Sequence, residues 1–299
     1  MTNADSIKAK LKNQAALNGN LFNDMLIAYC IERTIYRIAI SEHCENFTLK
    51  GGIFLYAIFK GDFTRVTTDI DLLATSITNE LTKFESIFKE IFSIKYGDAI
   101  TYDLNSLKVR SITEFKKYHG INLSVFAYLD RTKIPITIDI GFGDVIHPNR
   151  VLMNFPVILD MDTPQIYAYS LASVISEKFE AIVNLGYANS RLKDFYDIYV
   201  LLSTYDFVGH ELAEALKETF AHRGTNFNDI VAFEEGFAND TVRISRWNAF
   251  VKKKKAMVKI DFEEVIESIK VFLIPVIDCI QNKQRLEKKW VAKDQTWKF

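Results

Sequence analysis

The chain has 299 residues, 48% hydrophobic and 25% charged, with a formal net charge of −1 at pH 7. This is a globular profile with ample core material for one large domain or two ordinary ones, and 12 Gly with 5 Pro argue against low-complexity linkers. The near-neutral balance excludes a global basic field, so any RNA or DNA contact must come from a local patch, and without a helix-turn-helix signature a DNA-binding regulator is disfavoured.

Asp5-Ser6 is placed to cap a first helix that ends near Asn18-Gly19-Asn20. A second helix is predicted from Leu21 to about Ser41, because Leu26, Ile27, Cys30, Ile31, Ile35, Ile38 and Ala39 recur at helical spacing. Phe47–Lys50 reads as a short strand, and Gly51-Gly52 then opens a helix. The chain returns as a strand over Asp69–Ala74. Thr78–Ile94 is amphipathic, with Leu81, Phe84, Ile87, Phe88 and Ile91 on one side. Lys108–Ile112 carries a weak strand signal. Ile121–Leu129 and Ile134–Phe142 carry stronger ones, joined by Asp130–Lys133 as a hairpin loop. In the last strand Ile134, Ile136, Ile138 and Ile140 face one way, Thr137 and Asp139 the other.

Beyond Tyr169 the patterning is almost wholly helical, with helices predicted over 170–184, 193–205, 211–220, 243–252 and 262–280. A mixed sheet-and-helix domain is therefore expected over residues 1–160 and a helical domain over 161–299. The N-terminus, Met1 to Asp5, lacks the regions of a secretion signal. The most apolar stretch, Val271–Ile280, contains Pro275 and Asp278, so no membrane span is expected and a soluble cytoplasmic protein follows. Cys30, Cys44 and Cys279 form neither a disulfide framework nor a zinc pattern, and the histidines show no metal-ligand spacing.

Three constellations can carry chemistry. Gly51-Gly52 sits at a strand-to-helix junction, where backbone N–H groups can meet a phosphate; a tight turn between two elements is the plain alternative. Asp69 and Asp71 alternate on one strand face and would repel without a cation or a proton. A solvated strand face is their plain alternative. Asp139 lies inside a strongly apolar strand, and if that strand neighbours Asp69–Asp71, three carboxylates converge in a way that suits divalent ions. Lys178, in the apolar helix Ala172–Val183, is either a snorkelling rim residue or a phosphate ligand. Asp194 and Asp197, three apart, could stabilise a helix start or orient Lys178 and Arg191. The basic runs Lys252–Lys255 and Lys288-Lys289, with Trp247, Phe250, Trp290 and Trp297, could follow a nucleic acid or form a solvated face with apolar anchors.

Taken together, these residues resemble the AbiEii/AbiGii toxin nucleotidyltransferases of the DNA polymerase β-like superfamily. The resemblance rests on Phe47–Gly52, on Arg65 with Asp69–Leu72, and on Ile138–Asp144. Glu32-Arg33 through Tyr36-Arg37, Glu177–Ala181, Asn189–Ile198 and Trp247–Phe250 add to it. It implies an α+β fold: a polymerase-β-like nucleotidyltransferase core, a mixed sheet flanked by helices, with a helical C-terminal domain completing an active-site cleft. It implies metal-dependent transfer of a nucleoside monophosphate from an NTP, with Mg²⁺ or Mn²⁺ as cofactor and release of pyrophosphate. The acceptor implied is RNA such as a tRNA 3′ end, in a type IV toxin–antitoxin or abortive-infection setting, with a DNA-binding repressor as antitoxin. By position, Lys50, Gly51, Gly52, Arg65, Lys178 and Arg191 would bind the nucleotide. Asp69, Asp71 and Asp139 would bind metal. Asp69, Asp71, Lys178 and Asp194 would be catalytic, with Asp197 the alternative to Asp194. Nucleotidylation of a protein, or nucleotide binding without catalysis, are the alternatives.

Overall fold

The computed structural model describes residues 4–61, 68–113, 119–253 and 259–299. They belong to two compact units, one of residues 1–143 with 151–168, the other of residues 144–150 with 169–299.

The first unit runs α1 (Ala4–Leu17), α2 (Phe22–Ile40), β1 (Phe47–Lys50), α3 (Gly51–Ile58), β2 (Asp69–Ala74), α4 (Leu81–Ser93), β3 (Ile100–Thr113), β4 (His119–Leu129), β5 (Thr132–Phe142), β6 (Val151–Asn154) and β7 (Gln165–Ala168). Its strands form one mixed sheet of seven, in the order β3-β4-β5-β2-β1-β7-β6. β2 pairs parallel with β5, and β1 parallel with β7, while the remaining pairs are antiparallel. The alternation of β5 has its expected result: Ile134, Ile136, Ile138 and Ile140 are buried, and Thr137 and Asp139 are partly exposed. Phe84 of α4 packs edge-on against Phe142, and Phe92 stacks on Tyr102 of β3, so α4 covers the apolar side of the sheet.

α2 carries charge into this core. Arg37 grips Asp98 through two hydrogen bonds of 2.6 and 3.0 Å and also donates to the Ile100 carbonyl. Glu32 accepts from the Ile158 N–H at 2.6 Å, and Arg33 donates to the Asp162 carbonyl at 3.1 Å. These two residues thus pin the chain between β6 and β7. Burial pushes the Glu32 carboxyl up, to about 7, although Arg33 beside it lowers it. The signature residues of α2 therefore build the scaffold.

Several elements differ from the expectations. Asp5 lies in the first described turn of α1 instead of at its cap. β3 starts at Ile100, because a bulge between Asp103 and Lys108 hides its first half from a period-2 pattern. There Asp103 Oδ1 accepts from the Asn105 N–H, and the Ser106 hydroxyl accepts from the Phe126 N–H to rejoin the ladder. The β4–β5 loop is tighter than four residues, since Leu129 and Thr132 already pair and Asp130 takes a left-handed φ of 55°. The β6–β7 hairpin carries the first unit past residue 160, because β7 pairs with β1.

The second unit runs α5 (Leu171–Leu185), α6 (Leu192–Thr204), β8 (Phe207–Val208), α7 (Gly209–Arg223), α8 (Thr241–Lys253), α9 (Phe262–Gln281), β9 (Lys289–Val291) and β10 (Thr296–Lys298). The helices follow the predicted pattern. The small sheet β10-β9-β8 does not, because strands of two or three residues are too short to show periodicity. Trp247 and Trp290 are fully buried, and their indole N–H groups donate to the Ile260 and Leu202 carbonyls. The Trp297 indole donates to the Phe272 carbonyl. Trp247 and Trp290 are core anchors, which removes them as base-stacking surfaces, whereas Trp297 is partly exposed; Lys254 and Lys255 of the basic run lie outside the described residues. No described helix is long and apolar enough to cross a membrane.

Candidate functional site

The first unit joins the glycine pair to the acids. β1 and β2 are antiparallel with Lys50 opposite Asp71, so the Asp71 side chain comes to rest over the start of α3. Gly51 has φ +64°, the left-handed region that favours glycine. A Cβ built there would lie 2.5 Å from Asp71 Cγ and 2.7 Å from Asp71 Cβ. The next N–H, of Gly52, donates to Asp71 Oδ2 at 3.3 Å. The two motifs are therefore one structural unit, with a carboxylate held at a helix N-terminus, where negative charge is favoured.

Asp139 joins that unit through register. β2 and β5 are parallel with Asp71 opposite Asp139, so the two carboxylates stand on one face of adjacent strands about 4.8 Å apart. The Asn122 amide of β4 donates to Asp139 Oδ1 at 2.7 Å and sets its orientation. Asp69 is exposed, two residues before Asp71, opposite Thr137. Among the described residues no group of three or more His, Cys, Asp or Glu is arranged to hold a metal ion. Two adjacent carboxylates nevertheless fit Mg²⁺, which takes one or two protein carboxylates and fills its shell from phosphates and water. Arg65 lies outside the described residues.

Gly51→Ala tests the union of the two motifs. It adds left-handed strain of about 1–2 kcal/mol and forces Asp71 or the start of α3 to move. The expected outcome is a lowered melting temperature together with loss of any activity that depends on Asp71, read by thermal unfolding beside the transfer assay described below.

The second unit gathers the remaining predicted residues. Ser170 caps α5, its hydroxyl accepting from the Ser173 N–H at 3.1 Å. Two turns on, Lys178 is buried, and it donates to Asp194 Oδ1 at 3.2 Å and Asp197 Oδ2 at 2.7 Å. Arg191 Nε donates to Asp194 Oδ2 at 2.7 Å. The snorkelling-rim reading of Lys178 is thereby overturned: its ammonium sits between two acids that are 0% exposed. Their three-residue spacing lets both reach it from α6. Burial alone would raise the Asp194 carboxyl, but Lys178, Arg191 and Lys193 outweigh it and hold it below the usual range.

Two residues of these clusters escaped sequence reasoning. Asn122 has no motif, and only the β4–β5 register reveals it. Arg223, at the end of α7, donates to Glu180 and Asp144 at 2.9 Å each and lies 3.0 Å from Glu177. It holds the acids beside Lys178 on α5, from 43 residues away in the chain in the case of Glu180.

A family model described as nucleotidyl transferase AbiEii toxin, type IV TA system, matches residues 33–268. No curated protein matches the chain. Among solved structures, JHP933 from Helicobacter pylori is similar at 15% identity and a TM-score of 0.45, covering 84% of this chain and 90% of that one. A protein from H. pylori described provisionally as a nucleotidyltransferase is similar at 15% identity and a TM-score of 0.45, covering 88% and 97%.

Proposed function

Because the chain belongs to the nucleotidyl transferase AbiEii toxin family of type IV toxin–antitoxin systems, we propose that it moves a nucleoside monophosphate from an NTP to RNA, such as a tRNA 3′ end. Pyrophosphate leaves, and the protein acts as the toxin of its pair in the cytoplasm. The observation that carries this reading is Asp71 seated on Gly51-Gly52 with Asp139 beside it in register.

Asp71 and Asp139, with Asp69 as a further donor, would hold Mg²⁺ or Mn²⁺. When bound, that ion supplies positive charge to the triphosphate and lowers the pKa of an acceptor hydroxyl. The chain's own residues do the orienting. Gly52 N–H fixes the Asp71 carboxylate, and the Asn122 amide fixes that of Asp139. Lys50, opposite Asp71, places a positive charge beside the acids. In the second unit, Arg191 exposes 49% of its side chain and offers a fork for phosphate oxygens. Lys178 holds Asp194, and Asp194 in turn holds Arg191. A DNA-binding repressor encoded beside the gene would be the antitoxin.

The test is incubation with α-labelled NTPs, Mg²⁺ and total RNA. Label is expected to enter RNA, to be released by nuclease, and to be lost with EDTA. Label that follows protein through nuclease treatment would establish protein nucleotidylation instead. Tight NTP binding without turnover on any acceptor would reduce the protein to a binding module.

A further inference from the structure

The polar side of the sheet carries two cross-strand rows that pass through the acids. One joins Arg110 of β3, Asn122 of β4, Asp139 of β5, Asp71 of β2 and Lys50 of β1, each in register with the next. The other joins Lys108, Ser124, Thr137 and Asp69 in the same strands from β3 to β2. Residues in register on adjacent strands share a face, so all of these stand on one side of the sheet. The opposite side is the apolar one, where Ile121, Leu123 and Val125 are buried.

Charge changes sign along these rows. The acids occupy β5 and β2, and Lys108 and Arg110, both exposed, occupy the edge strand β3. They are two residues apart, about 6.6 Å along the strand, a step that successive backbone phosphates of an extended strand can match. Further along the same face lie the rings of Phe126 and Tyr128, both partly exposed, with Lys133 Nζ 3.6 Å from the centre of the Phe126 ring. Asp103, which lies opposite Phe126, turns Oδ1 to its own loop, accepting from the Asn105 N–H at 3.1 Å. Cations beside aromatic rings on an open sheet are the chemistry that holds single-stranded nucleic acid, phosphates on the cations and bases against the rings.

We infer that the β3–β4–β5 face is the track for a single-stranded RNA acceptor, whose backbone Lys108 and Arg110 bind so that its terminal hydroxyl reaches Asp139 and Asp71. This deepens the nucleotidyl-transfer reading and rests on it for the identity of the acids. Charge complementarity selects RNA over a basic or apolar protein surface, and continuity of the rows with Asp139 selects the acceptor over an unrelated ligand.

The test is the double variant Lys108→Glu/Arg110→Glu, at two exposed positions where the fold tolerates charge. Binding of a fluorescent 12-nucleotide single-stranded RNA is measured across a salt series, with NTP binding and label transfer measured beside it. The expected result is RNA binding weakened about tenfold or more, with the log–log salt slope shallower by about 1.4 for two lost phosphate contacts, and NTP affinity unchanged. In the transfer assay the acceptor KM rises while the NTP KM stays. Wild-type RNA affinity and salt slope in the double variant would overturn the track even with transfer intact. Wild-type protein that fails to bind the RNA but labels a protein would overturn RNA as the occupant. RNA binding that is lost on charge reversal, in a protein that transfers no label, would support the track and sink the transfer reading alone.

Discussion

Asp71→Asn is expected to lower nucleotidyl transfer on the order of 10³-fold or more, the scale at which removing a group that stabilises transition-state charge is felt. The substitution isolates charge from architecture. Asparagine has the same shape, and its carbonyl oxygen can still accept from the Gly52 N–H that now meets Asp71 Oδ2. The fold at the β1–α3 junction should therefore survive, with a melting temperature within a few degrees of the parent. What disappears is one of the two negative charges that stand in register on β2 and β5. The repulsion between that pair, which calls for a cation, goes with it. Mg²⁺ titrated against transfer should accordingly show a weaker dependence, as well as a lower maximum. Asp71→Ala is the harsher variant, because it also strips the acceptor from the Gly52 N–H, and it should lose stability beside activity. A folded Asp71→Asn protein that transfers label at near-parental rate would remove Asp71 from the chemistry.

Lys178→Met carries the second large effect, on stability first. The lysine ammonium sits between Asp194 and Asp197, whose side chains are 0% exposed. Removing one partner of a buried ion pair leaves uncompensated charge and costs about 3–5 kcal/mol. Arg191 still touches Asp194 Oδ2, which sets the loss toward the lower end. The pH dependence should change sign. In the parent, the Asp194 carboxyl is depressed when folded, so its stabilisation is present above about pH 4 and lost as pH falls through the lower folded value. In the variant, burial acts against less opposing charge and raises that carboxyl. Stability should then rise as the solution is acidified from pH 7 to 5, because the folded state takes up the proton. Adding Asp194→Asn and Asp197→Asn to Lys178→Met removes the buried charges together. Denaturant unfolding is expected to recover most of the loss, while transfer stays defective. Recovery of both would leave Lys178 a purely structural residue.

These expectations draw on two kinds of information. Period-2 alternation was enough to find β2 and β5 and to say which of their residues face solvent, because a pleated strand with one buried side writes that pattern locally. Helical spacing did the same for α2, α4 and the helices of the second unit. It failed where local chemistry interrupts the pattern. The Asp103–Lys108 bulge concealed half of β3, and β8 to β10 are too short to carry a period. The aromatic and basic run near the C-terminus was ambiguous for a different reason. A tryptophan that anchors a core and one that stacks on a base look alike in sequence, and burial of Trp247 and Trp290 decided between them.

Residue order and local pattern were enough for the ingredients: glycines at a strand-to-helix junction, two acids on one strand face, a third acid in an apolar strand, and a lysine followed by two acids. They also sufficed for the family. Which of these meet is set by strand pairing and helix packing. Antiparallel β1–β2 pairing brings Asp71 onto Gly51, and parallel β2–β5 pairing sets Asp71 beside Asp139. α5 against α6 puts Lys178 between acids 16 and 19 residues on. Asn122 and the row out to Arg110 exist only through register. Periodicity records which side of an element is buried, whereas register and helix packing depend on partners distant in the chain. No local pattern encodes those partners.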